Sequence, residues 1–597
     1  MVKLRCGVLL TFLLAIVAPS LSAATWYVRA DGGTRYSARV HSGQCDGKAD
    51  VAYAGSGTNQ HCAFNDFRYM WMDGTYGNSA WVISGGDTVV IRGCAALPEQ
   101  QNPDNPHCRI GEDNSKNTGI FCQGVSDYWG CSMPPPPNGT SSNHTKILGG
   151  CAFGNYTCTP VIGYPYTSNN LTQLYSGWNA GGLMWLNGAS YIDIEGLELT
   201  SHNGACTTLG APQWPKGCST GVPTNDFGRW GIITTNKTSN ITLQDLYIHG
   251  FTNIGIGGPI GGPFTLTRVF IGFNAFSGWN FDDGRSTPDA PGSSIAANHV
   301  RMEGNGCLEE YPIVHKQFPA LSCWDTNSGG FGDSWSGQDT KLDSFICDHC
   351  VMAYNTKDGF IGPHTLITYL KITNSESYGN MGQQWKWGTL PGSTTIFENN
   401  FTVGNCRRMS EPMPGASSTY NRYLTGFCRA AGDVFSFFTA ANSTVLFANN
   451  TTVGYSATMF DLSCQQSNAC GATRFVFRNN IVLGFLNPRD NSNELPALFY
   501  FSDPSVKVEP DHSLFFNLRS KPCPAITRSN LICDSPAFVN QSPLTLANEG
   551  QLDNFNFHPT SGSPAIGHGA AVSDVTTDYY GNARPNPPSI GAAEPSH

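Results

Sequence analysis

Four short segments carry the polar residues that are best suited to chemistry, at 279–283, 358–362, 383–387 and 459–462. Asp282, Asp283 and Asp358 offer carboxylates, and Lys386 offers an amine. Carboxylates can hold a cation, and a lysine can move a proton. Asp-Gly pairs are also ordinary turn sequences, and Lys386 could be a solvated residue of a strand. A purely structural role therefore stays open beside the chemical one.

Aromatic and cationic residues near these segments suggest contact with a sugar. Trp279, Trp385 and Trp387 offer flat rings that suit the apolar face of a sugar ring. Arg407 offers a guanidinium that can clamp an anionic sugar through paired hydrogen bonds. The tryptophans could equally pack loops onto a core, and Arg407 could be surface charge. These residues predict a glycan-binding cleft.

The element that must position these residues is a repeated short strand. The sequences FENN at 397–400, FANN at 447–450 and FRNN at 477–480 are copies of one unit, and weaker copies precede them. Apolar and polar residues alternate within the units, which is the period of a β-strand. Repeated strands and turns without helices predict a coil of parallel strands, in which each turn pairs with the next. Asp358 and Lys386 would then lie on neighbouring coils.

The paired asparagines of the unit have two readings. Asn400, Asn450 and Asn480 fall in register at a turn, where amide side chains of successive coils can bond in a ladder. Asn400 and Asn450 also begin formal glycosylation sequons. The ladder is the preferred prediction, because a residue that repeats in register at a turn serves packing first.

Composition and cysteine content narrow the function classes. The chain has 597 residues with 67 Gly, 13% charged residues and a net charge of −10. No cluster of Lys and Arg that would bind phosphates is evident, so nucleic-acid binding is not expected. The chain has 21 cysteines, and removing Cys6 with a leader leaves an even number, which predicts disulfides in an oxidising compartment. Spacing suggests the pairs 151–158, 206–218, 307–323, 406–428, 464–470 and 523–533. The Cys347-Asp-His-Cys350 run could indicate redox or metal chemistry, but no second such pair with zinc-like spacing follows, which favours structural disulfides or buried thiols.

The ends of the chain predict export and a covered coil. Residues 1–24 have the layout of a cleaved secretory signal, which predicts a secreted protein, extracellular or periplasmic, without a membrane span. Phe64, Phe67 and Trp71 fall at helical spacing, which predicts a short N-terminal cap helix. We expect a single domain over 25–597, divided into a cap and first coil (25–93), loop-rich early coils (94–183), regular coils (184–490) and C-terminal coils with a cap (491–597).

The two ends of the mature chain resemble a known superfamily. TWYVRADGG at 25–33 and GGDTVVIRG at 85–93 are similar to the start of secreted bacterial right-handed parallel β-helix proteins of the pectate-lyase-like (pectin lyase fold) superfamily. Its common tail motif is matched here by Ser563 to Ile566, Asp578, Gly581, Arg584, Pro585 and Ile590 to Glu594. Ser589 replaces the usual Asp. The resemblance implies an all-β right-handed solenoid and leaves the activity open.

The resemblance also implies site roles. In lyases of this superfamily, carboxylates hold Ca²⁺ against an acidic sugar and a Lys or Arg removes a proton. By analogy, Asp282, Asp283 and Asp358 are candidate metal or sugar ligands, and Lys386 is the candidate base with Asp358 beside it. The hydrolase branch carries a paired Asp, a Gly-His-Gly and an Arg-Ile-Lys, of which this chain has only the first.

Long insertions complete the expected cleft. Residues 203–229, 305–341 and 405–432 interrupt the coils, and long loops on one side of a solenoid build binding surfaces. The sequence therefore predicts a disulfide-rich β-helix that binds polysaccharide and cleaves an acidic one by β-elimination. A non-catalytic surface or adhesive glycan-binding protein is the alternative, and a glycoside hydrolase is the second alternative. The glycan, the oligomeric state and the binding of Ca²⁺ stay open.

Overall fold

The structure is a computed structural model. It describes the residues 23–39, 41–72, 81–92, 109–110, 112–113, 118–119, 132–150, 171–175, 181–200, 229–251, 253–274, 276–281, 290–306, 332–337, 341–355, 357–360, 366–380, 382–404, 433–455, 457–464, 470–486, 494–501, 503, 505–519, 530–540 and 556–596.

The described chain winds as a parallel β-helix, which confirms the fold that the repeats predict. A regular coil has three strands, and corresponding strands of successive coils pair in parallel. The three stacks are called sheet 1, sheet 2 and sheet 3, in their order along one coil. Sheet 1 contains Met184–Trp185, Trp230–Ile233, Ile254–Gly257, Ser277–Asn280, Trp335–Ser336, the first part of Trp385–Glu398, Asp433–Thr439, Thr458–Cys464 and Ala497–Phe501.

Sheets 2 and 3 run along the whole described solenoid. Sheet 2 contains Thr25–Gly33, Thr88–Arg92, Thr145–Gly149, Ser190–Glu195, the first parts of Ser239–His249 and Pro263–Gly272, Ser294–Asn298, Lys341–Asp348, Leu366–Thr373, the second part of Trp385–Glu398, Thr444–Ala448, Arg474–Arg478 and Lys507–Asp511. Sheet 3 contains Arg109–Ile110, Thr172–Tyr175, Leu197–Thr200, the second parts of Ser239–His249 and Pro263–Gly272, Arg301–Glu303, Val351–Ala353, Glu376–Tyr378, Phe401–Gly404, Thr451–Gly454, Ile481–Gly484 and Leu514–Phe516. A small antiparallel pair, Glu112–Asp113 with Thr118–Gly119, lies outside this pattern.

Stacked aromatic rings fill the interior of the later coils. Phe397, Phe447 and Phe477 are fully buried, and their ring centroids follow one another at 5.0 and 5.3 Å with nearly parallel planes. This spacing is close to the roughly 4.8 Å that separates paired strands, so each ring sits on the ring of the next coil. The repeated Phe of the sequence unit is therefore a core position that the coil geometry keeps in register.

The predicted asparagine ladder is confirmed at the turn between sheets 2 and 3. The Asn400 backbone N–H and its Nδ2 both donate to Asn450 Oδ1, at 2.9 and 3.0 Å. Asn450 donates to Asn480 Oδ1 in the same way, at 2.9 and 3.1 Å. All three side chains are fully buried, so the glycosylation reading of Asn400 and Asn450 is wrong for the folded chain.

A second amide ladder, which the sequence analysis did not predict, lies where sheet 3 leads into sheet 1. Nδ2 of Asn274 donates to Asn305, Asn305 donates to Asn355, and Asn355 donates to Asn380, at 2.8 to 3.1 Å. Both corners are therefore tied from coil to coil by neutral amides that donate and accept.

The predicted cap helix is wrong. Residues Phe67–Met70 form a single 3-10 turn, and Phe64 bridges to Val28 instead of joining a helix. Asp66 caps the turn by accepting the backbone N–H of Arg68 at 2.8 Å. One short turn cannot offset the cost of nucleating an α-helix, so the apolar residues pack in a tighter form.

Three disulfides join described cysteines. Cys464–Cys470 and Cys347–Cys350 agree with the sequence predictions, and Cys45–Cys62 was not predicted. The other suggested pairs include residues outside the described part of the chain, so they stay predictions. No helix among the described residues has the length and apolar character needed to cross a membrane.

The C-terminal segment 556–596 lies across the outer face of sheet 3. Phe401, Val453 and Ile481 of that sheet pack in one apolar cluster with Ala565 and Ile590 of the segment. The tail motif fixes this contact. Arg584 pairs with Glu594 at 2.8 Å, and its Nη2 donates to Asn399 Oδ1 at 2.8 Å. The motif residues that carry the family resemblance therefore anchor the tail to the coils.

Candidate functional site

Lys386 lies on the outer face of sheet 1, between two core residues. Trp385 and Trp387 are fully buried, and side chains alternate between the two faces of a strand. The Lys386 side chain is 19% exposed. Its strand pairs with Asp433–Thr439, where Ser436 occupies the equivalent position. Sheet 1 thus directs Lys386 outward while its neighbours hold the strand to the core.

A stack of carboxylates precedes the strands of sheet 1. The backbone N–H of Asp358 donates to Asp333 Oδ1 at 3.0 Å, and the backbone N–H of Gln383 donates to Asp358 Oδ1 at 2.8 Å. Each carboxylate therefore receives the N–H of the next coil. A Cβ at Gly382 would lie 1.9 Å from Asp358 Oδ1, so a glycine is required beside this carboxylate. We call Asp333 and Asp358 the carboxylate stack.

Each carboxylate of the stack also faces a lysine. Lys357 Nζ lies 3.3 Å from Asp333 Oδ2, and Lys386 Nζ lies 3.4 Å from Asp358 Oδ2. Asp333 is fully buried and Asp358 is 2% exposed. A buried carboxylate is costly without a compensating partner, so the two lysines offset the burial of the two acids. The sequence prediction that Asp358 and Lys386 are neighbours across one coil is confirmed.

Burial governs the ionisation of Asp333. Its pKa is raised to about 6, because removal from water disfavours the charged form. The charges of Lys357 and Lys386 oppose this rise, and the charge of Asp358 adds to it. These four side chains therefore form one electrostatic unit.

A third carboxyl group lies farther along the outer face of sheet 1. Asp461 is paired in register with Ser436, which itself pairs with Lys386. Burial raises the pKa of Asp461, while hydrogen bonds from Ser463 and Ser436 and the charge of Lys386 oppose the rise. Ser463 Oγ donates to Asp461 Oδ1 at 2.6 Å. Lys386 thus lies between carboxyl groups on both sides along the solenoid axis.

The three predicted sugar-binding tryptophans belong to the core. Trp279, Trp385 and Trp387 have no exposed surface. Trp279 stacks on Trp335, with centroids 5.4 Å apart, and Trp385 Nε1 donates to the Thr402 hydroxyl at 2.9 Å. A ring without exposed surface cannot stack on a sugar in this structure. The packing alternative holds for these residues because strand alternation turns them inward.

The remaining predicted site residues are not described. Asp282, Asp283 and Arg407 lie outside the described residues, so their roles stay predictions. The insertion 405–432, all of 203–229 except residue 229, and most of 305–341 also lie outside. The described strand before each insertion belongs to sheet 3. A strand of sheet 1 follows 203–229 and 405–432, whereas 305–341 contains the sheet 1 strand Trp335–Ser336 and is followed by Lys341–Asp348 of sheet 2. All three insertions therefore start at the corner that leads into sheet 1, the corner that also carries the carboxylate stack.

Sequence reasoning missed Asp333 and Lys357, and it named the segment 459–462 without singling out Asp461. The sequence signal that could have identified Asp333 is its spacing, in residues, from an aromatic residue of the core. Asp333 stands two residues before Trp335, as Asp358 stands two residues before Phe360. Trp335, Phe360 and Trp385 bridge in parallel along sheet 1. Aligning these aromatics would have brought the two aspartates into one stack.

The described carboxylates do not by themselves fit a calcium ion. Ca²⁺ takes six to eight oxygen ligands. Asp358 Oδ1 already accepts a backbone N–H and its Oδ2 faces an ammonium, while Asp333 is fully buried beside a second ammonium. Among the described residues, Cys464, Cys470 and Asp503 form a group with metal-ligand spacing, but those two sulfurs form a disulfide. Ca²⁺ remains a prediction that rests on Asp282 and Asp283.

Comparisons with known proteins give distant likenesses. No protein-family model matches the chain, and no curated protein matches it. The pectate lyase Pel9A is 12% identical with a TM-score of 0.42, over 97% of this chain and 98% of that chain. A rhamnogalacturonan lyase is 12% identical with a TM-score of 0.36, over 87% and 91%. The A-module of the Azotobacter vinelandii mannuronan C-5 epimerase AlgE6 is 10% identical with a TM-score of 0.33, over 72% and 91%. The strand pairing described above establishes the parallel β-helix independently of these likenesses.

Proposed function

We propose that this chain is an exported protein that binds an acidic polysaccharide along sheet 1 and cleaves it by β-elimination. The observation that carries the proposal is the placement of Lys386, which faces outward 3.4 Å from Asp358, beside the corner where the long insertions start. A partly exposed lysine held by a carboxylate on a rigid strand is suited to proton transfer with an oriented substrate.

The reaction would proceed at the carbon next to the sugar carboxylate. The unprotonated amine of Lys386 takes the proton from this carbon, and the electron pair forms a carbon–carbon double bond. The glycosidic oxygen then departs and takes a proton from water. Negative charge develops on the sugar carboxylate during this step, and a positively charged group beside that carboxylate lowers the barrier.

A non-catalytic glycan-binding role is the second candidate. The observation that favours it is the carboxylate stack itself, since Asp358 binds the Gln383 backbone and Lys386 as a structural residue would. Hydrolysis is a third outcome, because Asp358 and Asp461 offer carboxyl groups on either side of Lys386.

One assay separates these functions. The full chain is incubated with a panel of uronic-acid polymers, with added Ca²⁺ or with a chelator. Absorbance of the unsaturated product reports elimination, and new reducing ends without that absorbance report hydrolysis. Binding without either product supports the non-catalytic role and overturns the lyase proposal. The chelator arm tests the predicted need for Ca²⁺.

Replacing Lys386 tests its role directly. We expect Lys386→Ala to lower the rate of elimination by at least about 100-fold, the contribution usual for a general base. Lys386→Met keeps the apolar stem of the side chain but has no basic group, so it should be equally slow. A fast Lys386→Met variant would show that Lys386 is not the base.

Lys357→Ala is the matched control. It breaks a comparable ion pair one coil away, so it should cost similar folding stability, measured by thermal unfolding. Its rate should fall by less than about tenfold, because Lys357 precedes the strand and is not part of the outward row that contains Lys386. Equal losses in the two alanine variants would contradict the assignment of Lys386.

A further inference from the structure

The outer face of sheet 1 continues beyond Lys386 as one row of aligned residues. Lys386 pairs in register with Ser436, Ser436 with Asp461, and Asp461 with Tyr500. The residues on either side of Ser436 are Phe435 and Phe437, which are fully buried. The row therefore faces outward along its length, and Tyr500 stands three coils from Lys386.

Tyr500 differs from the rest of this row in its exposure. Ser436 is 1% exposed, whereas Tyr500 is 55% exposed, the highest value among the large hydrophobic side chains of the described residues. Its neighbour Phe501 is 41% exposed. Within the described part of the chain, the Tyr500 hydroxyl has no hydrogen-bond partner. Packing within the described chain does not explain why an aromatic ring is exposed at the end of this polar row.

We propose that Tyr500 is a sugar-stacking subsite, which takes a pyranose ring of the same glycan whose cleaved bond lies at Lys386. This inference rests on the proposed function and adds the place of a second contact. A tyrosine ring offers an apolar face for the C–H face of a sugar and a hydroxyl for hydrogen bonding. Tyr500 belongs to the strand Ala497–Phe501 of the solenoid, so its ring is attached to a rigid element.

The reach of this contact follows from the coil spacing. Strands of adjacent coils lie about 4.8 Å apart, so three coils place Tyr500 roughly 14 Å from Lys386 along the axis. A glycan that fills both positions must therefore span several sugar rings, with its chain parallel to the solenoid axis. Asp461, between the two positions, is half-buried and offers a carboxyl group to sugar hydroxyls. Ser436 is buried, and its hydroxyl donates to Asp461 Oδ2 at 3.4 Å.

The experiment measures binding as a function of chain length. Uronic-acid oligosaccharides from two to eight residues are titrated by calorimetry into the full chain carrying Lys386→Ala, which prevents cleavage. We expect Tyr500→Ala in this background to weaken binding of the longest oligosaccharides about tenfold. Disaccharides, which cannot reach both positions, should bind both chains equally. Tyr500→Phe keeps the ring and should bind the longest oligosaccharides within about threefold of the parent.

Tyr580→Ala is the matched control, because Tyr580 is 47% exposed on the C-terminal segment that covers sheet 3. It should not change binding at any length. Equal binding by Tyr500→Ala and its parent at all lengths would overturn the subsite. If the parent binds none of these oligosaccharides, a panel of neutral oligosaccharides is titrated in the same way. A loss with Tyr500→Ala on neutral chains keeps the subsite and removes the acidic substrate, and no binding to either panel overturns both.

Discussion

The ladder of Asn400, Asn450 and Asn480 and the carboxylate stack both join the coils, and they solve the same problem with different chemistry. At the turn between sheets 2 and 3, Asn400, Asn450 and Asn480 bond to each other. Before sheet 1, Asp333 and Asp358 accept the backbone N–H of the following coil. Both stacks are buried, and both satisfy main-chain groups that a tight corner would otherwise leave unpaired.

The difference lies in what each side chain can donate. An asparagine amide donates as well as accepts, and Asn450 Nδ2 also reaches the carbonyl of Phe397 at 2.8 Å. A carboxylate only accepts, and its charge must be balanced when it is buried. Lys357 and Lys386 supply that balance. The corner that leads into sheet 1 already has the amide ladder of Asn305, Asn355 and Asn380, so the charged stack beside that ladder is where we place chemistry.

Asn450→Ala should show the largest effect on stability. The change leaves the Asn400 N–H and the Phe397 carbonyl without their partner in a dry interior. We expect a loss of about 4 kcal/mol, since each unsatisfied buried group costs about 1 to 3 kcal/mol. Chemical denaturation of the full chain measures it.

Asn449→Gly is the control for this change. Asn449 has a φ of 53°, which glycine adopts without strain. Its side-chain oxygen accepts from Asn479, which keeps a second acceptor at the Ala570 carbonyl. The variant should lose less than about 1 kcal/mol. Equal losses at 449 and 450 would show that the amide ladder carries no special share of the stability.

Asp333→Asn should alter the pH dependence of stability. The pKa of Asp333 is about 6 in the fold, above the ordinary value of 3.8, so the folded chain keeps a proton that the unfolded chain releases. This group therefore stabilises the fold at low pH, and its contribution falls as the pH rises from about 4 to 6 and stays constant above that. The pKa difference corresponds to about 3 kcal/mol.

Unfolding curves at several pH values test this expectation. Relative to the original chain, Asp333→Asn should gain up to about 3 kcal/mol between pH 4 and pH 7. Asp461→Asn is the comparison, because burial also raises the pKa of that residue but leaves it partly exposed. Its gain should have the same sign and be smaller. Parallel curves for Asp333→Asn and the original chain would mean that Asp333 is not held protonated.

Much of the fold could be predicted because its signals are local. Each alternating strand and each Phe-x-Asn-Asn unit spans only a few residues, so these signals predicted the coil, the ladder and the closeness of Asp358 and Lys386. The prediction of a cap helix was wrong because it relied on the spacing of three aromatic residues and did not consider how short the segment is. The assignment of Trp385 and Trp387 to the cleft was wrong because they flank Lys386 on one strand. Successive side chains of a strand point to opposite faces, so the two tryptophans cannot face outward together with Lys386.

The rest of the site depends on the pairing register of the strands in sheet 1, which cannot be read from the sequence. Lys386, Ser436, Asp461 and Tyr500 are neighbours in the row, yet 50, 25 and 39 residues separate them in turn. Insertions of unequal length break any fixed repeat. Asp333 was hidden within the predicted insertion 305–341, and its pairing became evident when Trp335 was aligned with Phe360.

Asp358→Asn is the smallest change and compares the two stacks most directly. It converts a carboxylate of the stack into an amide of nearly the same shape, whose oxygen can still accept the Gln383 N–H. Folding stability should therefore change by less than about 1 kcal/mol, because Lys386, which loses its partner, keeps access to water. Lys386 also loses the carboxylate that holds its amine in position, so elimination should slow by about tenfold, measured by absorbance of the unsaturated product. Asp358→Ala removes both contacts and should lower both stability and rate. If Asp358→Asn cleaves as fast as the original chain, the charge at this corner serves packing alone, and the two stacks are equivalent in role.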